Sequence, residues 1–165
     1  MAMGSNGIDG VGGGVGRTLR AGELAFLREA RVGRLATVDA RQRPVVVPVC
    51  FAVIDGDAPA IVSVLDEKPK RVADEELGRV RNISQNPQVC LVVDRYDEDW
   101  SRLAFVQVHG RARVIVPGDD GHVEAVELLR AKYPQYVRMA IEQRPVIVIE
   151  GLTGFSWRGD GTRFG

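Results

Sequence analysis

The feature that most constrains this chain is a run of three β patterns over residues 34–65, joined by connections too short to hold a crossover helix. Arg34-Leu35-Ala36-Thr37-Val38 and Pro44-Val45-Val46-Val47-Pro48-Val49-Cys50-Phe51 flank the polar turn Asp39-Ala40-Arg41-Gln42-Arg43, and Ala60-Ile61-Val62-Ser63-Val64-Leu65 follows. β-Branched residues dominate these segments, and they suit a pleated, half-buried surface. Parallel neighbours need a long crossover, so the short links predict antiparallel pairing. Directly after the third strand comes Asp66-Glu67-Lys68-Pro69-Lys70-Arg71, a cationic cluster at the start of a predicted helix.

Three further strand patterns lie at 88–94, at 102–116 with Gly110 marking a bulge, and from 146 to about 160. In the first of these, Val89, Leu91 and Val93 share one face and Cys90 and Val92 the other, and both faces read as buried. Helices are expected over 19–30, from Pro69 to the Asn86-Pro87 stop with Val72, Val80 and Ile83 inward, and from a cap at Asp119 or Asp120 to Lys132. A further helical piece is expected over 134–143. This order lacks a regular βαβ alternation. The expected fold is mainly β within the α+β class: a six-stranded antiparallel barrel, closed or split, with peripheral helices.

Residues 1–17 are glycine-rich and almost without large side chains, so a disordered tail is expected there, followed by one domain over 18–165. The tail glycines never fall in the G-x-G-x-x-G register and no strand precedes them, which excludes a dinucleotide fingerprint. Its 22 lysines and arginines balance 22 aspartates and glutamates, so no global field favours nucleic acid or an anionic membrane, and any anion site must be local. No apolar run approaches a membrane span and no signal-peptide core is visible, so a cytoplasmic location is expected. Cys50 and Cys90 sit inside strand patterns and read as buried, reduced thiols.

His109 in a strand and His122 at a helix start read as structural, and no metal-ligand spacing, G-x-S-x-G elbow or H-E-x-x-H helix is present. Arg158-Gly159-Asp160 reads as a turn, and residues 159–165 as a free tail. Two features point to a ligand. Lys68, Lys70 and Arg71 oppose the positive end of a helix dipole, so they form either a solvated face or an anion site whose ligand relieves their repulsion. Pro48 cannot donate within a strand, so it marks either a sheet edge or a place where a ligand lies along the backbone. Without an acid–base constellation, the chain suits a cofactor that carries its own chemistry and asks of the protein only binding and orientation.

Taken in order, Gly33-Arg34-Leu35-Ala36-Thr37-Val38, Arg43 to Phe51, Asp66 to Arg71, Arg81-Asn82-Ile83-Ser84-Gln85-Asn86-Pro87, Tyr96-Asp97-Glu98-Asp99-Trp100 and Phe155-Ser156-Trp157-Arg158-Gly159-Asp160 resemble the pyridoxamine 5'-phosphate oxidase-like split β-barrel proteins. The likeness is strongest to the branch using the deazaflavin coenzyme F420. It implies an FMN-binding split barrel that forms a homodimer, with F420 or alternatively FMN at the interface, acting as an oxidoreductase on a small conjugated substrate. The alternative it leaves open is a non-catalytic carrier of the same cofactors. In that pattern Val46, Val47, Pro48 and Val49 back the ring, Ser63 is the small hydroxyl residue of the third strand, and Lys68, Lys70 and Arg71 hold the phosphate. Trp157 and Arg158 fall where the last strand approaches the site. The chain lacks the arginine-leading second-strand motif and longer C-terminus of true pyridoxamine-phosphate oxidases, so the vitamin is not the expected substrate.

Overall fold

A computed structural model describes residues 16–65 and 73–165, with the side chains of 73–77 left aside. The elements are β1 (Arg17–Thr18), α1 (Ala21–Glu29), β2 (Gly33–Val38), β3 (Pro44–Val49), β4 (Ala52–Ile54), β5 (Ala60–Val64), α2 (Ala73–Gln85), β6 (Gln88–Arg95), β7 (Ala104–Ile115), α3 (His122–Lys132) and β8 (Val146–Arg158). All described strand pairs are antiparallel, in the order β3-β2-β6-β7-β8-β5-β4, with β1 on β8.

Among the described residues eight strands stand where six were expected, for two reasons. Arg17, assigned by sequence to the tail, pairs with Gly154 in β1. The expected strand over 44–51 also ends early, at Val49, and an unexpected strand β4 follows at Ala52–Ile54: β3 pairs with β2, whereas β4 pairs with β5. The link between the second and third strand patterns is therefore a hairpin from β4 alone.

This break closes the barrel. β3 and β4 are the two ends of the strand order, yet only Cys50 and Phe51 separate them. Three Cα–Cα steps reach at most about 11 Å, so the sheet must curl until its edges meet. No ladder joins β3 to β4 among the described residues, and the barrel is split along that seam. The backbone groups freed there are satisfied from outside the sheet. The Phe51 N–H donates to Tyr133 Oη at 2.9 Å, and the Tyr133 hydroxyl faces the carbonyls of Phe51 at 2.8 Å and Arg31 at 2.9 Å. Ser63 Oγ donates to the Cys50 carbonyl at 2.8 Å.

Strand alternation fills two cores. Leu35, Val49, Phe51, Ile61, Leu91, Val93, Val106, Val108, Ile147 and Ile149 point into the barrel. Val62, Val64, Val146 and Val148, one residue out of phase on β5 and β8, pack beneath α3 with Leu129, Tyr133, Tyr136 and Ile141. The continuous apolar runs of β5 and β8 follow from this burial on both faces. Gly110 lies at a register shift between His109 and Arg111, as expected, and a Cβ there would meet Ile149 Cγ2 at 2.6 Å and the Glu150 carbonyl at 2.8 Å. Gly121, at φ 81°, caps α3 in place of either aspartate, while the Asp119 carboxylate accepts from the Val116 N–H at 2.9 Å. Residues Pro134–Arg138 and Ile141–Gln143 form two separate 3-10 turns.

The chain end is not free, contrary to expectation. Phe164 is buried against Phe26, with ring centroids 5.2 Å apart, and the Gly22 N–H donates to the Gly165 carbonyl at 2.6 Å. Glu23, fully buried in α1, ties this end of the barrel together. It accepts from Arg17 in a two-pronged pair, from the Arg20 N–H at 2.7 Å and from Ser156 on β8. Burial pushes its pKa up, but these donors outweigh it and hold the carboxyl down at about 2. A carboxyl depressed from 4.5 to about 2 contributes stability that is complete above pH 4.5 and lost as pH falls through this window. Glu23→Gln is therefore expected to cost about 1–3 kcal/mol at pH 7 and to flatten the decline between pH 4.5 and 2, as measured by urea unfolding across pH.

Candidate functional site

The seam that closes the barrel also opens a cavity. A space of about 120 Å³ lies between Val32, Pro48, Val49, Cys50, Ser63 and Arg79. Pro48 sits on the sheet edge, paired only with Arg34 on β2, in keeping with the edge-strand reading of this proline. Arg79, on α2, is 4 % exposed, and its Nε has no hydrogen-bond partner among the described residues. A buried N–H donor left unmet is costly, and an anion is one group whose oxygens could accept from it. The volume suits a phosphate-sized group; pockets that hold whole drug-sized ligands run to about 300–1,000 Å³. A tricyclic ring would have to lie outside, along the edge of β3.

The residues expected at the site divide into three groups. Pro48, Val49 and Ser63 line the Arg79 cavity together. Val46 is 60 % exposed on the outer sheet face, whereas Val47 turns inward against the core. Lys68, Lys70 and Arg71 lie outside the described residues. Trp157 and Arg158 are elsewhere in the protomer. The register aligns Pro48, Arg34, Val92, Gln107 and Phe155 in one row across the outer face. Four interstrand steps of about 4.8 Å separate its ends by roughly 19 Å.

Trp157 is 44 % exposed and stacks on Phe105 with centroids 6.2 Å apart, and Phe155 beside it is 45 % exposed. Arg158 bonds Asp160 at 2.8 Å and borders a cavity of about 690 Å³ beneath α1, where Arg95 stacks over Phe26. That larger cavity mixes arginines with Glu29, Asp97 and Asp160, and holds no unpartnered buried group among the described residues.

Arg79 was missed by the sequence reading, although a signal was present. It lies four residues before Ile83, hence on the same helical face, and Ile83 is buried. Asn82 beside it is also buried, donating to Thr37 Oγ1 at 3.0 Å. Lys132 was missed as well: its ammonium sits 4.2 Å over the Phe51 ring behind the seam, and burial, helped by the Arg31 charge, lowers its pKa to about 8. Both cysteines are free and half-buried, and His122 Nε2 lies 2.8 Å from the Arg144 carbonyl. Among the described residues no cluster of His, Cys, Asp or Glu could hold a metal, and no helix is long and apolar enough to cross a membrane.

The chain belongs to the pyridoxamine 5'-phosphate oxidase family, whose model matches residues 22–158. No curated protein matches it. Among solved structures it is similar to a conserved hypothetical protein from Mycobacterium tuberculosis, with a TM-score of 0.64 and 19 % identity over 88 % of each chain. It is also similar to HutZ, the heme storage protein from Vibrio cholerae, with a TM-score of 0.59 and 14 % identity over 81 % of this chain and 89 % of that one. An F420 reductase matches with a TM-score of 0.56 and 23 % identity over 84 % of this chain and 98 % of its own. These likenesses place the fold, a mainly antiparallel split barrel with helices, beyond the strand order itself.

The Arg79 Nε donor, unmet among the described residues, makes opposite demands on stability and binding. Arg79→Met keeps much of the side-chain volume and removes the unmet donor. It is expected to stabilise the ligand-free chain by about 1 kcal/mol. Millimolar inorganic phosphate is expected to raise the Tm of the parent chain, and the same substitution to abolish that rise. Differential scanning calorimetry of both proteins, with and without phosphate, checks both halves.

Proposed function

We propose that this chain is a cytoplasmic oxidoreductase that binds a phosphate-bearing deazaflavin, coenzyme F420, at the seam between β3 and β4, with FMN as the alternative cofactor. The single observation that carries this reading is Arg79, buried at the wall of an anion-sized cavity with its Nε unmet among the described residues. The residues fit such a group. Arg79 would hold the phosphate, with Lys68, Lys70 and Arg71 reinforcing it, and Ser63 Oγ retains acceptor capacity while donating to Cys50. Pro48 contributes no N–H to the edge of β3, so an apolar ring set against that one residue would strand no donor there. When bound, the deazaflavin supplies hydride transfer to a small conjugated substrate. No acid or base side chain lines the cavity apart from Cys50, so the matching proton is assigned to solvent.

The partner in this reading is a second copy of the chain. Val46, Phe155 and Trp157 are exposed apolar residues on the outer sheet face, and Val92 and Phe105 lie between them in the ladders. A two-fold axis through the middle of the row, near Val92, would set the Phe155 end of one protomer against the Pro48 end of the other. Trp157 would then reach the partner's site, whereas Arg158, on the opposite face of β8 beside Phe164, would not. The heme storage neighbour and the empty acid–base inventory of the cavity favour one second reading, a non-catalytic carrier.

Isothermal titration with F420 and FMN under identical salt tests the cofactor: tighter F420 binding is expected, and tighter FMN binding would reverse the choice. Sedimentation is expected to give a dimer, and a monomer with normal cofactor affinity would defeat the shared site. Oxidation of reduced F420 by any conjugated acceptor separates an enzyme from a carrier.

A further inference from the structure

A separate cavity of about 310 Å³ opens beside the end of β8, walled by Arg17, Arg20 and Arg163 and by Phe155, Trp157 and Phe164. No carboxylate lines it. The neighbouring charges are largely matched: Arg17 pairs with Glu23 and Arg158 with Asp160. The guanidinium groups of Arg20 and Arg163 have no ion-pair partner among the described residues. Ser156 and Thr162, which also border the space, already donate their hydroxyls to Glu23 and Asp160. The open donors are therefore two arginines, set beside half-exposed aromatic faces.

This pairing is selective. A guanidinium fork matches the two oxygens of a carboxylate, and the adjoining rings offer stacking area to a flat group. A bare inorganic anion would use only half of it. The volume, at the lower end of the small-molecule range, accepts one ring or a conjugated chain.

We propose that this cavity recognises planar, conjugated carboxylates and is the substrate entrance of the protein. Calling the ligand a substrate rests on the cofactor reading above; the binding itself does not. Phe155 joins this cavity to the row that ends at Pro48, so the same two-fold contact places the carboxylate cavity of one protomer beside the seam of its partner. The conjugated bond of the ligand would extend from the arginines toward the seam.

The test uses the full chain carrying Trp100→Phe, so that fluorescence reports Trp157, the other of its two tryptophans. Trans-cinnamate is titrated without cofactor, in parallel with the neutral cinnamamide and with inorganic phosphate. Cinnamate is expected to quench saturably, with cinnamamide at least about tenfold weaker and phosphate unable to displace it at equal concentration. Arg20→Gln and Arg163→Gln should each weaken cinnamate by about fivefold, and Arg41→Gln, on the distant β2–β3 turn, should not. Equal affinity for cinnamate and cinnamamide, displacement by phosphate, or unchanged affinity in both arginine variants would overturn the proposal. Because no cofactor is present, loss of the seam site in the earlier titrations and loss of this one are read separately.

Discussion

The structure depends on how one residue, Phe51, satisfies its backbone. A chain leaving one edge of a sheet and joining the other within two residues strands a buried N–H and C=O, each worth a kilocalorie or more if unmet. Tyr133 serves both groups through a single hydroxyl, itself buried so that its pKa is raised above the ordinary phenol value. With these bonds in place the sheet can close across a gap that is never bridged by a ladder. Closure gives the barrel interior its apolar filling, and the unbridged gap gives the cavity at Arg79. The same constraint thus produces the core and the site.

The proposed function rests on the imbalance at that gap. Ser63 and Tyr133 tie the seam backbone, so the one described side-chain polar atom left both buried and unpartnered is Arg79 Nε. In the proposed reading, an anion would be the matching partner. The outer face carries a related imbalance. Its row from Pro48 to Phe155 puts the seam at one end and the arginine–aromatic cavity at the other, too far apart to meet in one protomer. Two copies related by a two-fold would bring them together, and the exposed Val46, Phe155 and Trp157 would be covered in the process.

Much of the fold was legible because strand signals are local. Alternation in Val89 to Val93, the β-branched run at Ala60 to Val64 and the bulge at Gly110 each depend on near neighbours, and each stands where expected. The break at Cys50-Phe51 was not legible: Val49, Cys50 and Phe51 continue the apolar pattern, and the reason to stop lies 82 residues away at Tyr133. Sheet order decided it, and periodicity carries no sheet order. The burial of Phe164 was hidden similarly, since its partner Phe26 lies on α1 and the intervening glycines imitate a tail.

Of the residues bordering the seam cavity, the strand ones were singled out in the sequence and the helix one was not. Pro48, Val49 and Ser63 meet at one cavity, as the strand pattern and the family resemblance led one to expect. The cation that joins them is Arg79, a charged residue on a helical face taken as apolar, where composition argues against burial.

The central claim is that Arg79 holds the anionic end of a cofactor at the seam. Arginine Nε–H resonances in a ¹H–¹⁵N spectrum test it directly, with Arg79 assigned by its absence in Arg79→Met. Adding F420 or FMN is predicted to shift that resonance strongly downfield and slow its exchange with solvent, as a new charge-assisted hydrogen bond requires. A saturated cofactor complex in which the Arg79 signal has not moved would contradict the account.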